Sequence, residues 1–281
     1  MIKKAVVLIV CLFLMPQAVL AASRSFHPLT VKAAMLVDMN TGRVLYQQNA
    51  DRVIQPASLS KIMSLYLIAE DIEMKKAAYS DLVAVSASAF RTGGSKMLFE
   101  AGEKCELLDL VKGMAVHSAN DASVALAEHL GGNVETFVRR MNAKARELGM
   151  KDTHFVNPHG LPNRKQKTTA RDIYVLSSEY LRRFPNSYKI HSIERFVFHD
   201  MMLTNRNDLL SSYPGMDGLK TGYVGAAGFH LVATVVRGDT KLMAVVLGAK
   251  NRRIRSQQTR MLLDYGFGRV GVKHAKVLIG G

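Results

Sequence analysis

Three short stretches of this chain combine residue types that could do chemistry. The first is Ser58-Leu59-Ser60-Lys61, where a lysine follows a serine by three places. On a helix, positions three apart share a face, so the amine could reach the hydroxyl. The second is Ser118-Ala119-Asn120, two short polar side chains inside an otherwise apolar run. The third is Lys220-Thr221-Gly222, whose glycine would let a substrate backbone lie close to the chain. A serine nucleophile needs a base, and lysine can serve only when burial or nearby positive charge depresses its pKa. A second lysine, Lys220, placed beside Lys61 would supply that charge. Ser118 and Asn120 could relay a proton and hold both the amine and a substrate amide, while Lys220 and Thr221 could hold a carboxylate. Each stretch has a plainer reading too, since Pro56 and Ser58 are ordinary helix-start residues.

The elements around these stretches decide whether they can meet. AAMLVDMNTGRVLYQ (33–47) reads as a hairpin turning at Asp38, Asn40 and Gly42. Residues 59–79 read as a helix, with Ile62, Leu65, Ile68, Ala69 and Ile72 at helical spacing. The Ala-rich run 107–130 reads as two helical segments broken near Ser118–Asn120, and 134–149 as an amphipathic helix ending at Gly149. After a loop over 151–169, residues 169–184 return to helix. GFHLVATVVRG (228–238) and KLMAVVLGA (241–249) are β-branched runs around Gly238-Asp239, the form of a central hairpin, with Lys220-Thr221-Gly222 just before it. A last helix covers 255–265. Strands from both chain ends can then pair in one antiparallel sheet, flanked by helices and joined to a mainly helical lobe: an α/β fold of the α+β type.

The first residues carry Lys3 and Lys4, an apolar core from Ala5 to Met15, and a small-residue exit at Ala21-Ala22. That is the pattern of a cleaved secretory leader over residues 1–22, and the core is shorter than the roughly 20 residues a spanning helix needs. The expected destination is the periplasm or cell envelope. The mature chain then keeps one cysteine, Cys105, which reads as a small buried hydrophobe, so the exported fold must stand without an internal disulfide. The charge of +15, from 38 Lys and Arg against 23 Asp and Glu, would suggest nucleic acid in a cytoplasmic protein. With a leader, no Trp and no aromatic–basic interleaving, the expected attraction is instead peripheral contact with anionic envelope surfaces, and no nucleic acid. His117 and His230 lack the Asp/His/Ser context of a catalytic histidine, and His154 and His159 read as structural loop residues. Asp172 reads as a helix-capping or ion-pair residue. No metal-binding pattern occurs, and neither metal nor cofactor is expected.

In that chain order the three motifs, S-x-x-K, S-x-N and K-T-G, resemble the penicillin-recognising serine enzymes. More narrowly they are similar to the low-molecular-mass penicillin-binding proteins, the serine-type D-alanyl-D-alanine carboxypeptidases. AAMLVDMNTGRVLYQQNAD, GSKMLFEAGE, FVNPHGLP, TARD, MDGLKTGY and AVVLGA carry the likeness through about residues 30–268. The resemblance implies a β-lactamase/transpeptidase-like catalytic domain over 23–268; the best-known carboxypeptidases of the family carry a further β-rich domain and a terminal amphipathic helix, and the expectation here departs from them, with 269–281 a short tail and no additional domain. It implies that Ser58 attacks the carbonyl between the last two D-alanines of a peptidoglycan stem peptide. Lys61 would be the general base and Ser118 the relay. Asn120 would hold the substrate amide, and Lys220 and Thr221 the terminal carboxylate. Gly222 would give close approach, and the backbone N–H groups of Ser58 and Tyr223 an oxyanion hole. Arg253, or Arg255 beside it, would add charge near the carboxylate. β-Lactams would be covalent inhibitors of the same serine.

Three other activities fit parts of this pattern. A D,D-endopeptidase cutting peptidoglycan cross-links uses the same motifs and differs in what the cleft accepts on the leaving side. A β-lactamase needs a base for rapid deacylation, and FVNPHGLP contains no E-x-x-L-N-like run. A non-catalytic peptidoglycan-binding protein predicts loss of a reacting group, yet Ser58, Lys61, Ser118, Asn120, Lys220 and Thr221 are all present.

Overall fold

A computed structural model describes residues 26–100 and 102–271, so the leader reading falls outside the described residues. In chain order the elements are β1 (Ala33–Asp38), β2 (Val44–Gln48), α1 (Ser60–Glu73), β3 (Leu82–Ala84), α2 (Ala87–Arg91), β4 (Lys104–Glu106) and α3 (Leu107–Lys112). Then come α4 (Asn120–Gly131), α5 (Val134–Glu147), α6 (Ala170–Arg183), α7 (Tyr188–His191), β5 (Arg195–Phe198) and β6 (Met201–Thr204). The chain closes with β7 (Met216–Val224), β8 (Gly228–Arg237), β9 (Thr240–Ala249) and α8 (Arg252–Arg269).

The main sheet has five strands in the order β2-β1-β9-β8-β7, every pair antiparallel. Strands from both chain ends meet where Met35 of β1 lies opposite Val245 of β9. Alternate side chains of these strands enter two different cores, as strand geometry requires. Met35, Val37, Val232 and Val245 face the helical lobe, whereas Ala34, Leu36, Leu231 and Val246 face α8 with Leu262, Leu263 and Phe267. Burial on both faces explains why β1 and β9 read as near-continuous apolar runs. A side chain at Gly266 would come within 2.6 Å of Leu36, so the glycine lets α8 lie close on the sheet.

Helix α1 is buried nearly all round, which marks a core helix rather than a surface one. It packs against α4, α5 and α6. Ion pairs Glu70–Lys144 (2.9 Å), Glu70–Arg183 (2.6 Å) and Asp71–Arg140 (2.7 Å) tie its C-terminal half to α5 and α6. It stops at Glu73, short of the expected 79, because Lys75 turns left-handed (φ 58°) and Lys76 N–H returns to Asp71 O. This is a Schellman end with lysine where glycine is usual, and so it leaves no glycine signal in the sequence. Thr169 caps α6. The Asp172 carboxylate accepts from Asp152 N–H (2.9 Å) and Thr153 O–H (2.7 Å), so it fastens a loop rather than forming an ion pair.

Candidate active site

Ser58 sits in a short 3-10 turn, Ala57–Leu59, that runs directly into α1. Side chains three apart eclipse in such a turn, which stacks Lys61 over Ser58. Three contacts fix the turn from outside. A Cβ on Gly160 would lie 1.9 Å from Ala57 O, and one on Gly222 would lie 3.2 Å from Pro56 O and 3.3 Å from Ser58 N. His230, reaching from β8, accepts Gly248 N–H at Nδ1 (2.9 Å) and therefore donates from Nε2 to Gln55 O (3.1 Å). Burial pushes that imidazole down to about 4, so it stays neutral and keeps this tautomer. Ala57 itself is left-handed at φ 49°, backbone strain that the surrounding contacts hold in place.

Lys61 is fully buried, and its ammonium is disfavoured first by desolvation and then by the Lys220 charge, which place its pKa well below 10.5. Its Nζ lies 2.6 Å from Asn120 Oδ1, 2.7 Å from His159 O and 3.1 Å from Ser58 Oγ. Asn120 Nδ2 donates to Gly93 O (2.7 Å), which fixes which end of the amide faces the lysine. Both the amide oxygen and the carbonyl can only accept. A neutral amine therefore spends its two hydrogens on them and turns its lone pair to the Ser58 hydroxyl. Gly94, at φ 86°, packs so tightly on Asn120 that a Cβ there would lie 2.5 Å from Nδ2.

Ser118 follows a π-helical turn, Gly113–His117, and is itself left-handed (φ 67°), which separates α3 from α4 and aims its side chain at the cleft. Its hydroxyl makes no hydrogen bond to Lys61 in this structure; Ser118 lines the cleft, whereas Lys61 is buried beneath Ser58. Lys220, Thr221 and Gly222 lie within β7, the edge strand of the sheet, and not ahead of the strands as expected. Lys220 is 2% exposed, and its amine donates to Thr221 O (3.2 Å). Desolvation, then Arg206 and Arg255, lower its pKa to about 7.

A hollow of about 350 Å³ brings together Ser58, Ser118, Asn120, Thr221, Gly222 and Tyr223. Tyr223 is half exposed and stacks on Phe229 at 4.2 Å. Arg255 lines this hollow with Arg206 and Arg252, whereas Arg253 is exposed and lines a neighbouring depression. Helical rotation puts 253 and 255 on different faces, and Arg255 is held inward by Asp208. Arg206 is a site residue that sequence reasoning missed; it donates to His117 Nε2 (3.1 Å), and its only sequence signal is one Arg in a polar loop. The His159 carbonyl was missed as well, because a backbone acceptor has no residue-type signature. Among the described residues no three His, Cys, Asp or Glu side chains gather to hold a metal ion. Cys105 is buried, and desolvation pushes its thiol up to about 12.

A sheet with helices on both faces, a buried lysine beneath a serine and a cationic cleft together define the penicillin-recognising serine class. A family model described as D-alanyl-D-alanine carboxypeptidase matches residues 20–251, and the chain belongs to that family. It is 39% identical over 241 residues to D-alanyl-D-alanine carboxypeptidase DacF of Bacillus subtilis, covering 84% of this chain and 62% of that protein. It is 39% identical over 265 residues to DacC of Escherichia coli, covering 91% of this chain and 66% of that protein. The chain thus spans less than two thirds of either relative. Penicillin-binding protein 6B of Escherichia coli superimposes with a TM-score of 0.83 at 35% identity, over 88% of this chain and 80% of that one. Penicillin-binding protein D2 of Listeria monocytogenes, solved in its ampicillin-bound form, gives 0.78 at 31% identity over 85% and 98%.

Proposed function

We propose that this chain is a serine-type D-alanyl-D-alanine carboxypeptidase that removes the terminal D-alanine from peptidoglycan stem peptides. One observation carries the reading: Lys61 Nζ lies within hydrogen-bond distance of Asn120 Oδ1, His159 O and Ser58 Oγ, so that once neutral it can donate to the two carbonyl oxygens and offer its lone pair to the Ser58 hydroxyl. Ser58 Oγ attacks the carbonyl carbon of the penultimate D-alanine while Lys61 takes the hydroxyl proton. Backbone N–H groups of Ser58 and Tyr223 receive the oxyanion. As the tetrahedral centre collapses, the proton passes from Lys61, with Ser118 as relay, to the leaving D-alanine nitrogen, and the C–N bond breaks. Water then attacks the acyl carbonyl while Lys61 takes its proton, and as the second tetrahedral centre collapses Lys61 returns that proton to Ser58 Oγ, the ester C–O bond breaks and the shortened peptide leaves as a carboxylic acid. Asn120 holds the substrate amide, and Lys220, Thr221 and Arg255 hold the terminal carboxylate, the charge that a cationic pocket of this kind lacks.

β-Lactams present the same carbonyl and carboxylate and would leave a stalled acyl adduct on Ser58. The leader pattern supports export of a mature domain, from about residue 23, to the periplasm or cell envelope, where such a substrate would be met. The test is product analysis with the purified mature protein. A monomeric pentapeptide muropeptide is expected to yield free D-alanine, with none from a Ser58→Ala variant. Cleavage of a cross-linked dimer with the monomer left intact would overturn the carboxypeptidase assignment in favour of an endopeptidase.

A further inference from the structure

The imidazole of His117 takes no part in the acyl transfer, yet it stands beside the cleft. It ends the π-helical turn that presents Ser118. The segment after β6 is clipped to that turn twice. Arg206 N–H donates to Val116 O (3.3 Å), and the Arg206 guanidinium donates to His117 Nε2 (3.1 Å). Because a guanidinium can only donate, Nε2 is the acceptor nitrogen and the proton sits on Nδ1, which faces Thr204 O at 3.4 Å. The bond to His117 is the only one the Arg206 guanidinium makes among the described residues, where it has no carboxylate partner.

Arg206 is an exposed side chain that lines the hollow with Ser58, Ser118 and Thr221, and its charge reaches Lys220. A long, exposed arginine ordinarily samples many rotamers, and a ligand that uses it must immobilise it. A carboxylate could tether it, but would cancel the charge that a substrate anion needs. A neutral imidazole tethers it and leaves the charge whole. His117 suits this task. Burial first, and then the Arg206 charge, lower its pKa from 6.5; Lys220 adds to the effect and the Thr204 carbonyl opposes it. The imidazole therefore stays uncharged beside the arginine at neutral pH.

We propose that His117 is a positioning residue of the carboxylate subsite, whose Nε2 holds the Arg206 guanidinium at the cleft with its charge uncancelled, for the substrate's terminal carboxylate. This rests on the carboxypeptidase reading, in which that carboxylate sits at Lys220, Thr221 and Arg255. Arg206 adds a second arginine to that group, and His117 acts through it without touching the substrate.

The test uses the mature protein, a peptide ending in D-alanyl-D-alanine, and a counterpart that ends instead in D-1-aminoethylboronic acid. The boron adds to the Ser58 oxygen as the substrate carbonyl does, but nothing follows it, so the terminal carboxylate is missing. In His117→Leu, kcat/KM for the peptide is expected to fall about fivefold with kcat within about twofold of wild type, the loss of a pre-oriented side chain. Affinity for the boronic acid is expected to stay within about twofold. His117→Gln, whose amide offers both an acceptor and a donor, is expected to bring kcat/KM back to within about twofold of wild type. In an Arg206→Gln background, His117→Leu is expected to change kcat/KM by less than about 1.5-fold. No loss in His117→Leu, full additivity with Arg206→Gln, an equal loss of boronic acid affinity, or a glutamine variant no better than leucine each overturns the positioning role alone. A wild-type protein that does not cleave the peptide overturns the carboxypeptidase reading beneath it.

Discussion

Lys220 should make the free protein less stable than it could be, by an amount the structure sets. The residue is 2% exposed and flanked by Arg206 and Arg255, and its pKa falls from 10.5 to about 7. Below pH 7 both folded and unfolded chains hold the proton, and the folded state bears the full cost of the buried charge. Between about 7 and 10.5 the unfolded chain binds one proton more, so stability climbs with pH at about 1.4 kcal/mol per unit. Across that gap the cost amounts to ~5 kcal/mol. Lys220→Met keeps the length of the side chain, removes the charge and gives up the hydrogen bond to Thr221 O, worth about 1 kcal/mol. The variant is expected to be ~3–4 kcal/mol more stable than wild type at pH 6 while losing carboxylate binding. Urea unfolding of both proteins from pH 6 to 10 reads this directly. The difference should hold level to about pH 7 and then shrink by about 1.4 kcal/mol per unit. A variant less stable than wild type at pH 6, or a difference that ignores pH, would refute the reasoning.

Other perturbations test separate parts of the site. Asn120→Asp places a carboxylate where an oxygen now lies 2.6 Å from Lys61 Nζ, so the base should hold its proton to higher pH. The acid limb of the penicillin acylation–pH profile is expected to move to higher pH, with the rate recovering in alkali. Gly160→Ala pushes a methyl toward Ala57 O at φ 89°, and should cost on the order of 2–3 kcal/mol in thermal or urea unfolding and slow acylation as the Ser58 turn shifts. Glu70→Gln leaves Lys144 and Arg183 with Glu147 and Glu73 as their remaining carboxylates, for a loss of about 1–3 kcal/mol at pH 7. Burial raises the Glu70 pKa, but the hydrogen bonds from Lys144 and Arg183 prevail and the net shift is downward. Its contribution should therefore be present above pH 4.5, fade as pH falls through the lower folded value, and be missing from the variant's acid-unfolding curve.

The parts of this molecule that were legible in the sequence are those where one residue type answers to one physical need. The β1–β9 pairing shows because burial on both faces demands unbroken apolar runs. The break before α4 shows because Ser118-Ala119-Asn120 interrupts an Ala-rich helix. The rest depends on neighbours distant in the chain. Nothing in Lys75 marks a left-handed helix end, and nothing near Lys220 announces a strand until β8 pairs with it. The two-stranded sheets β3–β4 and β5–β6 have strands of three and four residues, too short to show a period. Choosing between Arg253 and Arg255 needed the rotation of α8 and the position of Asp208, which lies 47 residues earlier. The His159 carbonyl that completes the Lys61 cage could come from any residue type.

The central claim is that Lys61 activates Ser58 as the acylated nucleophile. The most direct measurement is peptide mapping by mass spectrometry after brief exposure to benzylpenicillin. A single penicilloyl group on the peptide containing Ser58 is expected, lost in Ser58→Ala and formed far more slowly in Lys61→Met. An adduct on another residue, stoichiometric labelling of Ser58→Ala, or a Lys61→Met rate equal to wild type would contradict it.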